Sequence, residues 1–296
     1  GCCSCRFLLF LSAASAFLLA YGLYEPLPDF SQDRALLALR CAALKTLTAL
    51  GRLMERLNLG SFETAAHRIL RFPAPSNTSS VIFYYRQFAN SRTLVAMPRH
   101  ESGTGENRTA GAAAVIYIHG GGWALGAPEM HNSLCEQLVE QTGITVFAVR
   151  YRLSSEQPFP AAFDDCLSAT LAIFDAAKSL GLDAGRIAIA GDSAGGQLTA
   201  SVVQQLRRSG SPHRPKLHLM VYPVTQVVNL RTSSHRSHSN VALMKHLPSS
   251  RFLSLYLAGD MSAADWISQL GHATEYARLA YERATGEVLV NAYMHK

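Results

Sequence analysis

The stretch GRIAIAGDSAGGQLTA, Gly185 to Ala200, decides how this chain is read. Arg186 to Ala190 is a short apolar β-type run, and a helical pattern extends from Ala194 to about Arg208. Between them stands Gly191-Asp192-Ser193-Ala194-Gly195, the G-x-S-x-G pattern of a nucleophile elbow. A turn this tight leaves no room for side chains two positions from the serine. Glycine at both flanks removes the clash and lets the backbone adopt the strained angles that push Ser193 Oγ into a cleft. Gly196 relieves crowding further where the helix packs on the strand. The helix N-terminus aims free N–H groups and a partial positive charge at the same place, which suits a developing oxyanion. Ser193 is therefore the candidate nucleophile, and the rival reading is a Gly-rich structural turn.

Outward from this turn, the chain from Ala112 onward alternates β-type runs with helical patterns, as parallel strands joined by crossover helices do. AAAVIYI spans Ala112 to Ile118, a helical pattern covers Met130 to Gln141, and ITVFAV covers Ile144 to Val149. A helix opens near Pro160 with Phe163, Leu167, Leu171 and Phe174 on one face and ends at Gly181. LHLMVY supplies a further strand ending at Tyr222. Upstream, SSVIFYYRQF and RTLVAM read as strands and PRHESGTGENRTAG as a polar loop. The fold class expected is α/β, a mostly parallel sheet with helices on both faces and no internal repeat.

A second constellation, IYIHGGGWALG from Ile116 to Gly126, places three glycines after a buried strand. Bare backbone there lets N–H groups approach a substrate. In a fold built on the elbow, this loop supplies oxyanion donors that combine with the N–H of the residue after the serine, here Ala194. A phosphate-loop reading fails because no lysine is nearby, and a dinucleotide fingerprint fails on spacing. His119, at the strand end, reads together with Gly120 as a support for the loop rather than as a catalytic base.

HGGGW, then YRLSSEQPFPAAFDD at Tyr151 to Asp165, then GDSAGG resemble the hormone-sensitive-lipase branch of the α/β-hydrolases in order and spacing. Within that branch, YEPLP at Tyr24 to Pro28, together with VYPVTQ and NVALMK, is similar to the arylacetamide deacetylase and neutral cholesterol ester hydrolase group. The likeness runs to about Asp260. It implies Ser193 as nucleophile, Gly121, Gly122 and Ala194 as oxyanion donors, and a body facing the endoplasmic reticulum lumen. The implied reaction is hydrolysis of apolar carboxylic esters or amides through an acyl-enzyme, with no metal and no diffusible cofactor.

The C-terminal region departs from that pattern. In this fold the acid and the histidine follow the serine, each after a further strand. Only 74 residues follow Tyr222. They offer a polar loop with His235 and His238, helical stretches around Ser250 to Leu257 and Ala263 to Ala284, and one strand, Glu287 to Tyr293. Two strands with their crossovers take roughly sixty residues, at about thirty per βαβ unit. The expectation is a sheet whose C-terminal strands are incomplete, with neither the family's acid motif nor its terminal histidine loop. His295, after the last strand, is the candidate base by position, and Asp260 and Asp265 are acids by order alone. His235 and His238 lack a third ligand for a metal, and His272 beside Gly271 reads as a turn residue. Two functional readings stand: a membrane-anchored serine esterase, and a hydrolase-fold protein impaired by lack of the triad Asp and His.

With 296 residues, 48% of them hydrophobic, the chain is long enough for a large core, which excludes disorder. Its 27 Lys and Arg against 21 Asp and Glu give +6, but the basic residues are scattered, which excludes a nucleic-acid footprint. Phe7 to Tyr24 is an uncharged 18-residue stretch. As a helix it would reach about 27 Å, near the width of a bilayer core. Arg6 precedes it and Glu25, Asp29 and Asp33 follow, so the body is placed in the lumen as a single-pass type II protein. A cleaved signal peptide ending near Ala14-Ser15-Ala16 is the open alternative. Asn77-Thr78-Ser79 and Asn107-Arg108-Thr109 are glycan acceptor triplets. Cys2, Cys3 and Cys5 precede the anchor and Cys41, Cys135 and Cys166 lie in the body, so no disulfide framework is read. An amphipathic helix is expected over Ser31 to Leu59. The organisation expected is a cytosolic start (1–6), an anchor (7–24), a helical cap-type segment (25–75) and a hydrolase domain (76–296). Its partners are a small apolar ester or amide and the membrane.

Overall fold

The computed structural model describes residues 72–99, 111–225 and 249–258, with isolated positions between 46 and 57 and at 233. The chain divides into two compact units, Gly1–Arg68 with Asn229–Arg251, and Ile69–Val228 with Phe252–Lys296. In the first, Thr46, Ala49, Gly51, Leu53, Met54 and Arg56 are helical, within the span where an amphipathic helix is expected. The expected anchor lies outside the described residues, and no described helix is long and apolar enough to cross a membrane.

The second unit is built on a six-stranded sheet of β1 (Val81–Phe88), β2 (Ser91–Pro98), β3 (Ala112–Ile118), β4 (Thr145–Val149), β5 (Leu182–Asp192) and β6 (His218–Val221). The strand order is β1-β2-β4-β3-β5-β6. The first two form an antiparallel pair that continues antiparallel onto β4, and β4, β3, β5 and β6 run parallel. The described helices are α1 (Asn132–Thr142), α2 (Ala161–Asp175), α3 (Ser193–Arg208) and α4 (Ser249–Ala258), the last belonging to this unit from Phe252 onward.

All of β4 and Val115–Ile118 of β3 are buried, the continuous apolar reading of strands covered on both faces. Val115, Tyr117, Val146, Ala148, Leu94 and Ala96 pack with Cys135 and Val139 of α1. Alternation sends Ile116, Ile118, Phe147 and Val149 to the opposite face. The crossover β3–α1–β4 runs to one side of β3, and β4–α2–β5 returns past it to the other. Right-handed connections therefore put α1 and α2 on opposite faces. The C-terminal ends of β3 and β5 thus lie side by side where their onward connections diverge, the crevice in which open α/β sheets bind ligands.

The buried stripe of α2 differs from the one expected. Phe163, Leu167 and Leu171 are only half-buried, whereas Ala162, Asp165, Cys166, Ala169, Thr170, Ile173 and Phe174 are buried. The small residues let α2 approach its neighbour α3 closely. Asp165, which a polarity pattern assigns to solvent, is drawn inward by the Arg152 side chain and backbone. The helix stops at Asp175, and a 3-10 turn over Lys178–Leu180 carries the chain to Gly181, left-handed at φ +67°.

Among the described residues β6 pairs only with β5, and its Leu219, Met220 and Val221 are exposed. The helix expected over Ala263 to Ala284 and the strand over Glu287 to Tyr293 lie outside the described residues.

Candidate active site

The end of β5 and the start of α3 form the turn that the glycine spacing predicts. Ser193 has φ +53°, left-handed for a non-glycine residue, while Asp192 before it is extended. From Ile189 to Gly196 every residue is buried except Ser193, which keeps partial access to solvent. The flanking glycines are there because backbone occupies the space of a side chain. A Cβ at Gly191 would lie 2.6 Å from Ile118 O, and one at Gly195 would lie 2.1 Å from the same oxygen and 2.5 Å from His119 O. At Gly196 a Cβ would sit 3.0 Å from Pro223 Cβ.

These contacts bring the elbow against the glycine loop that leaves β3, whose last residue Ile118 pairs in register with Gly191. Gly121 has φ +117°, Gly122 +62° and Trp123 +61°, and the turn closes as Ala124 N–H and Leu125 N–H donate to Gly121 O at 3.3 and 3.0 Å. Among the described residues, nothing accepts the N–H of Gly121 or of Gly122. The amide of Ala194 belongs to the first turn of α3, where no intrahelical partner exists. Among the described residues, the three groups expected as oxyanion donors thus have no protein acceptor.

His119 is fully enclosed. Its Nδ1 lies 2.7 Å from Gly120 O, which places the proton on that nitrogen, and its ring stacks on Tyr151 at 4.3 Å between centroids. Tyr151 O–H donates to His119 O at 2.9 Å. Burial pushes the imidazole pKa down to about 4, only partly opposed by the Gly120 carbonyl. A neutral ring committed in this way supports the loop.

Asp192 gathers groups that sequence reasoning did not single out. Its Oδ1 accepts from Tyr117 O–H at 2.8 Å and from Gly120 N–H at 3.0 Å, and Tyr222 O–H stands 3.5 Å from Oδ2. His131 Nε2 is 3.4 Å from Oδ1 without hydrogen-bond geometry. Burial raises the Tyr117 phenol, with Asp192 adding to it, and lowers the His131 imidazole, with Asp192 opposing. Elsewhere the loop is braced by Trp123, whose Nε1 donates to Gln197 Oε1 at 3.1 Å and whose ring stacks on Tyr256 of α4 at 4.5 Å. A Cβ at Gly122 would lie 2.5 Å from the Phe252 ring. Ser154 N–H donates to Trp123 O at 2.8 Å, which gives the stretch after β4 its role as a buttress.

Asn77 is exposed, with its Oδ1 accepting from Phe83 N–H at 2.6 Å. Asn107, His235, His238, Asp260, Asp265, His272 and His295 lie outside the described residues. Among the described residues there is no cluster of metal-ligating side chains.

A family model described as an alpha/beta hydrolase fold matches residues 115–287, more than half of the chain and both loops of the site. The chain belongs to the α/β-hydrolase family. It is 29% identical to arylacetamide deacetylase of Oryctolagus cuniculus over 82% of this chain and 61% of that protein. It is 30% identical to neutral cholesterol ester hydrolase 1 of Mus musculus over 84% of this chain and 62% of that protein. The chain thus spans less than two thirds of the length of these relatives. A solved ester hydrolase from the metagenome of Lake Arreo, in complex with a bipyridine phosphonate derivative, superposes with a TM-score of 0.56 at 28% identity. That match covers 78% of this chain and 69% of the other. The family resemblance drawn from HGGGW and GDSAGG is borne out.

Proposed function

We propose that this α/β-hydrolase cleaves carboxylic esters of apolar acids or alcohols, and amides of similar character, through an acyl-enzyme on Ser193. The observation that carries the reading is the accessible, left-handed serine of a buried elbow, pressed against a loop whose Gly121 and Gly122 amides have no partner among the described residues. A base takes the Ser193 proton, Oγ attacks the carbonyl carbon, and the amides of Gly121, Gly122 and Ala194 hold the oxygen as it becomes negative. The tetrahedral intermediate expels the alcohol or amine with that proton, and water then releases the acid by the same route. Each oxyanion donor in such a site lowers the barrier by about 3 kcal/mol. The names of the relatives, arylacetamide deacetylase and neutral cholesterol ester hydrolase, support apolar substrates.

The base is the point on which a second reading turns. Among the described residues His119 is tied to Gly120 and His131 faces Asp192, and neither bonds Ser193. His295 is the proposed base by its place after the last expected strand. If no histidine reaches Ser193, turnover drops by about 10⁶, the loss seen when a triad histidine is removed. The test is fluorophosphonate labelling and p-nitrophenyl butyrate hydrolysis by the purified chain, with Ser193→Ala and His295→Ala as controls. Labelling that Ser193→Ala abolishes supports the esterase, and silence from folded protein supports the impaired form. We also propose that the anchor at 7–24 holds the body in the endoplasmic reticulum lumen. Extraction of the protein by alkaline carbonate would refute that placement.

A further inference from the structure

An aspartate before the first residue of a helix ordinarily caps it, accepting a hydrogen bond from the second or third helical amide. Asp192 stands at that position of α3 and makes no such bond. Its carboxylate, in a residue only 8% exposed, is instead spent across the crevice on β3 and the glycine loop. Oδ1 takes both Tyr117 O–H at the end of β3 and the Gly120 N–H. A Cβ at Gly120 would stand 2.4 Å from Oδ2, so the loop backbone rests directly on the carboxylate. Among the described residues no side chain caps the first amides of α3, and the residue that comes before Gly121 and Gly122 is fixed to the residue that comes before Ser193.

We propose that Asp192 is a positioning residue: it holds the oxyanion loop in register with Ser193 while leaving the N-terminus of α3 uncapped for the developing oxyanion. The inference rests on the esterase reading for its catalytic consequence but not for its structural content. The donors at Gly121 and Gly122 sit one and two residues beyond the anchored Gly120. Loss of the anchor lets the hole drift from the place where charge develops, which affects the transition state more than ground-state binding. A capping aspartate would behave in the opposite way, since its removal would loosen the first turn of α3 and leave Gly120 unchanged.

The experiment compares the wild-type chain with Asp192→Asn and Asp192→Ala by ester hydrolysis and by residue-level amide hydrogen exchange. Asparagine keeps the shape and a neutral acceptor. The expected kcat is reduced about 10-fold for Asp192→Asn and by 10² to 10³ for Asp192→Ala, the scale of a lost oxyanion donor. KM is expected to stay within about threefold, as befits an interaction felt in the transition state. Exchange of the Gly120 amide is expected to accelerate in the order wild type, Asn, Ala, with the amides of Leu198 and Val202 in α3 unchanged. Should Asp192→Ala fail to fold, the wild-type and Asn pair decides. The proposal is overturned if Asp192→Asn exchanges at Gly120 as the wild type does, or if the change falls on KM alone. A wild-type chain that folds but neither labels nor hydrolyses would sink the esterase reading, and the Gly120 exchange rates would still decide the role of Asp192.

Discussion

Gly195→Ala sets two effects of opposite sign against each other. Gly195 is the third residue of α3, and replacing glycine by alanine inside a helix ordinarily stabilises it by about 1 kcal/mol. Here the added Cβ would lie 2.1 Å from Ile118 O and 2.5 Å from His119 O, against 3.4 Å for ordinary van der Waals contact. More than an ångström of separation has to be found. Ile118 cannot retreat, because it is paired with Val149 on one side and Gly191 on the other. The helix must lift, and with it Leu198 and Val202, both fully buried. Overpacking against a fixed backbone belongs at the upper end of the usual range, about 3 kcal/mol. Set against the propensity gain, the net destabilisation is about 2 kcal/mol, or about 4 to 8 °C in Tm for a domain of this size. Because Ala194 rides on the same turn, labelling of Ser193 by a fluorophosphonate should also slow, by about 100-fold for a displacement near 1 Å. The assays are urea unfolding followed by circular dichroism, and labelling rates. Gly143→Ala is the control: it has φ +68° and nothing within 4 Å of its Cβ, so it should lose about 1 kcal/mol to backbone strain and label normally. A Gly195→Ala chain that is more stable than wild type and labels at the same rate would refute the reasoning.

Two further perturbations test the frame around the site. Asp165 is buried and accepts from Arg152 N, Nε and Nη2, each at 2.9 Å, so Asp165→Ala should cost about 2 to 3 kcal/mol in urea unfolding. The cost stays below that of a fully buried ion pair because the Arg152 side chain is 43% exposed and can return its charge to water. His119 predicts a pH dependence. With its pKa lowered to about 4 in the fold, only the unfolded chain takes up a proton as pH falls through the ordinary value of 6.5. The stability tied to His119 is therefore complete above pH 6.5, drains away between 6.5 and 4, and amounts to about 3 kcal/mol. His119→Asn, which keeps a donor for Gly120 O, should flatten that part of the stability profile. An unchanged slope would show that His119 is not held neutral.

The parts of the molecule legible in the sequence are those written in local sterics. Gly191, Gly195 and Gly196 announce the elbow because each stands where backbone or a proline leaves no room for a Cβ, and that demand appears as a fixed spacing around Ser193. The runs at Ala112–Ile118 and Thr145–Val149 read as buried strands because strands covered on both faces need no polar residue. What escaped was settled by partners distant in sequence. Tyr117 looks like one more apolar strand residue until the fold sets its hydroxyl 2.8 Å from a carboxylate 75 positions away. Asp165 is buried against Arg152, 13 positions away, a pairing that no local pattern announces. Phe252 gave no hint that it would lie on Gly122, because only the assembled sheet brings α4 to the loop after β3. Asp192 carried the one signal that could have been used, a carboxylate at a helix start with Ser193 as its neighbour.

Strain in the described backbone gathers at the same place. Of the four non-glycine residues with positive φ, Trp123 follows β3, Ser193 follows β5 and Tyr222 follows β6, at +61°, +53° and +35°. These three strands are consecutive neighbours in the sheet, and their C-terminal ends open on one crevice. Each such residue costs on the order of 1 to 3 kcal/mol and persists only where its surroundings leave no alternative. The surroundings here are specific: Trp123 is held by Gln197 and Tyr256, and Ser193 by the packing of Gly191 and Gly195 on Ile118. Tyr222 is 72% exposed, so packing alone does not fix it, and its link to the site is the hydroxyl 3.5 Å from Asp192 Oδ2. A sheet used only as scaffold would relax these turns at no loss. That β3 and β5, each paired on both sides, and β6 beside them instead hold three such turns around one accessible hydroxyl is the physical argument that the crevice is built to act on a ligand.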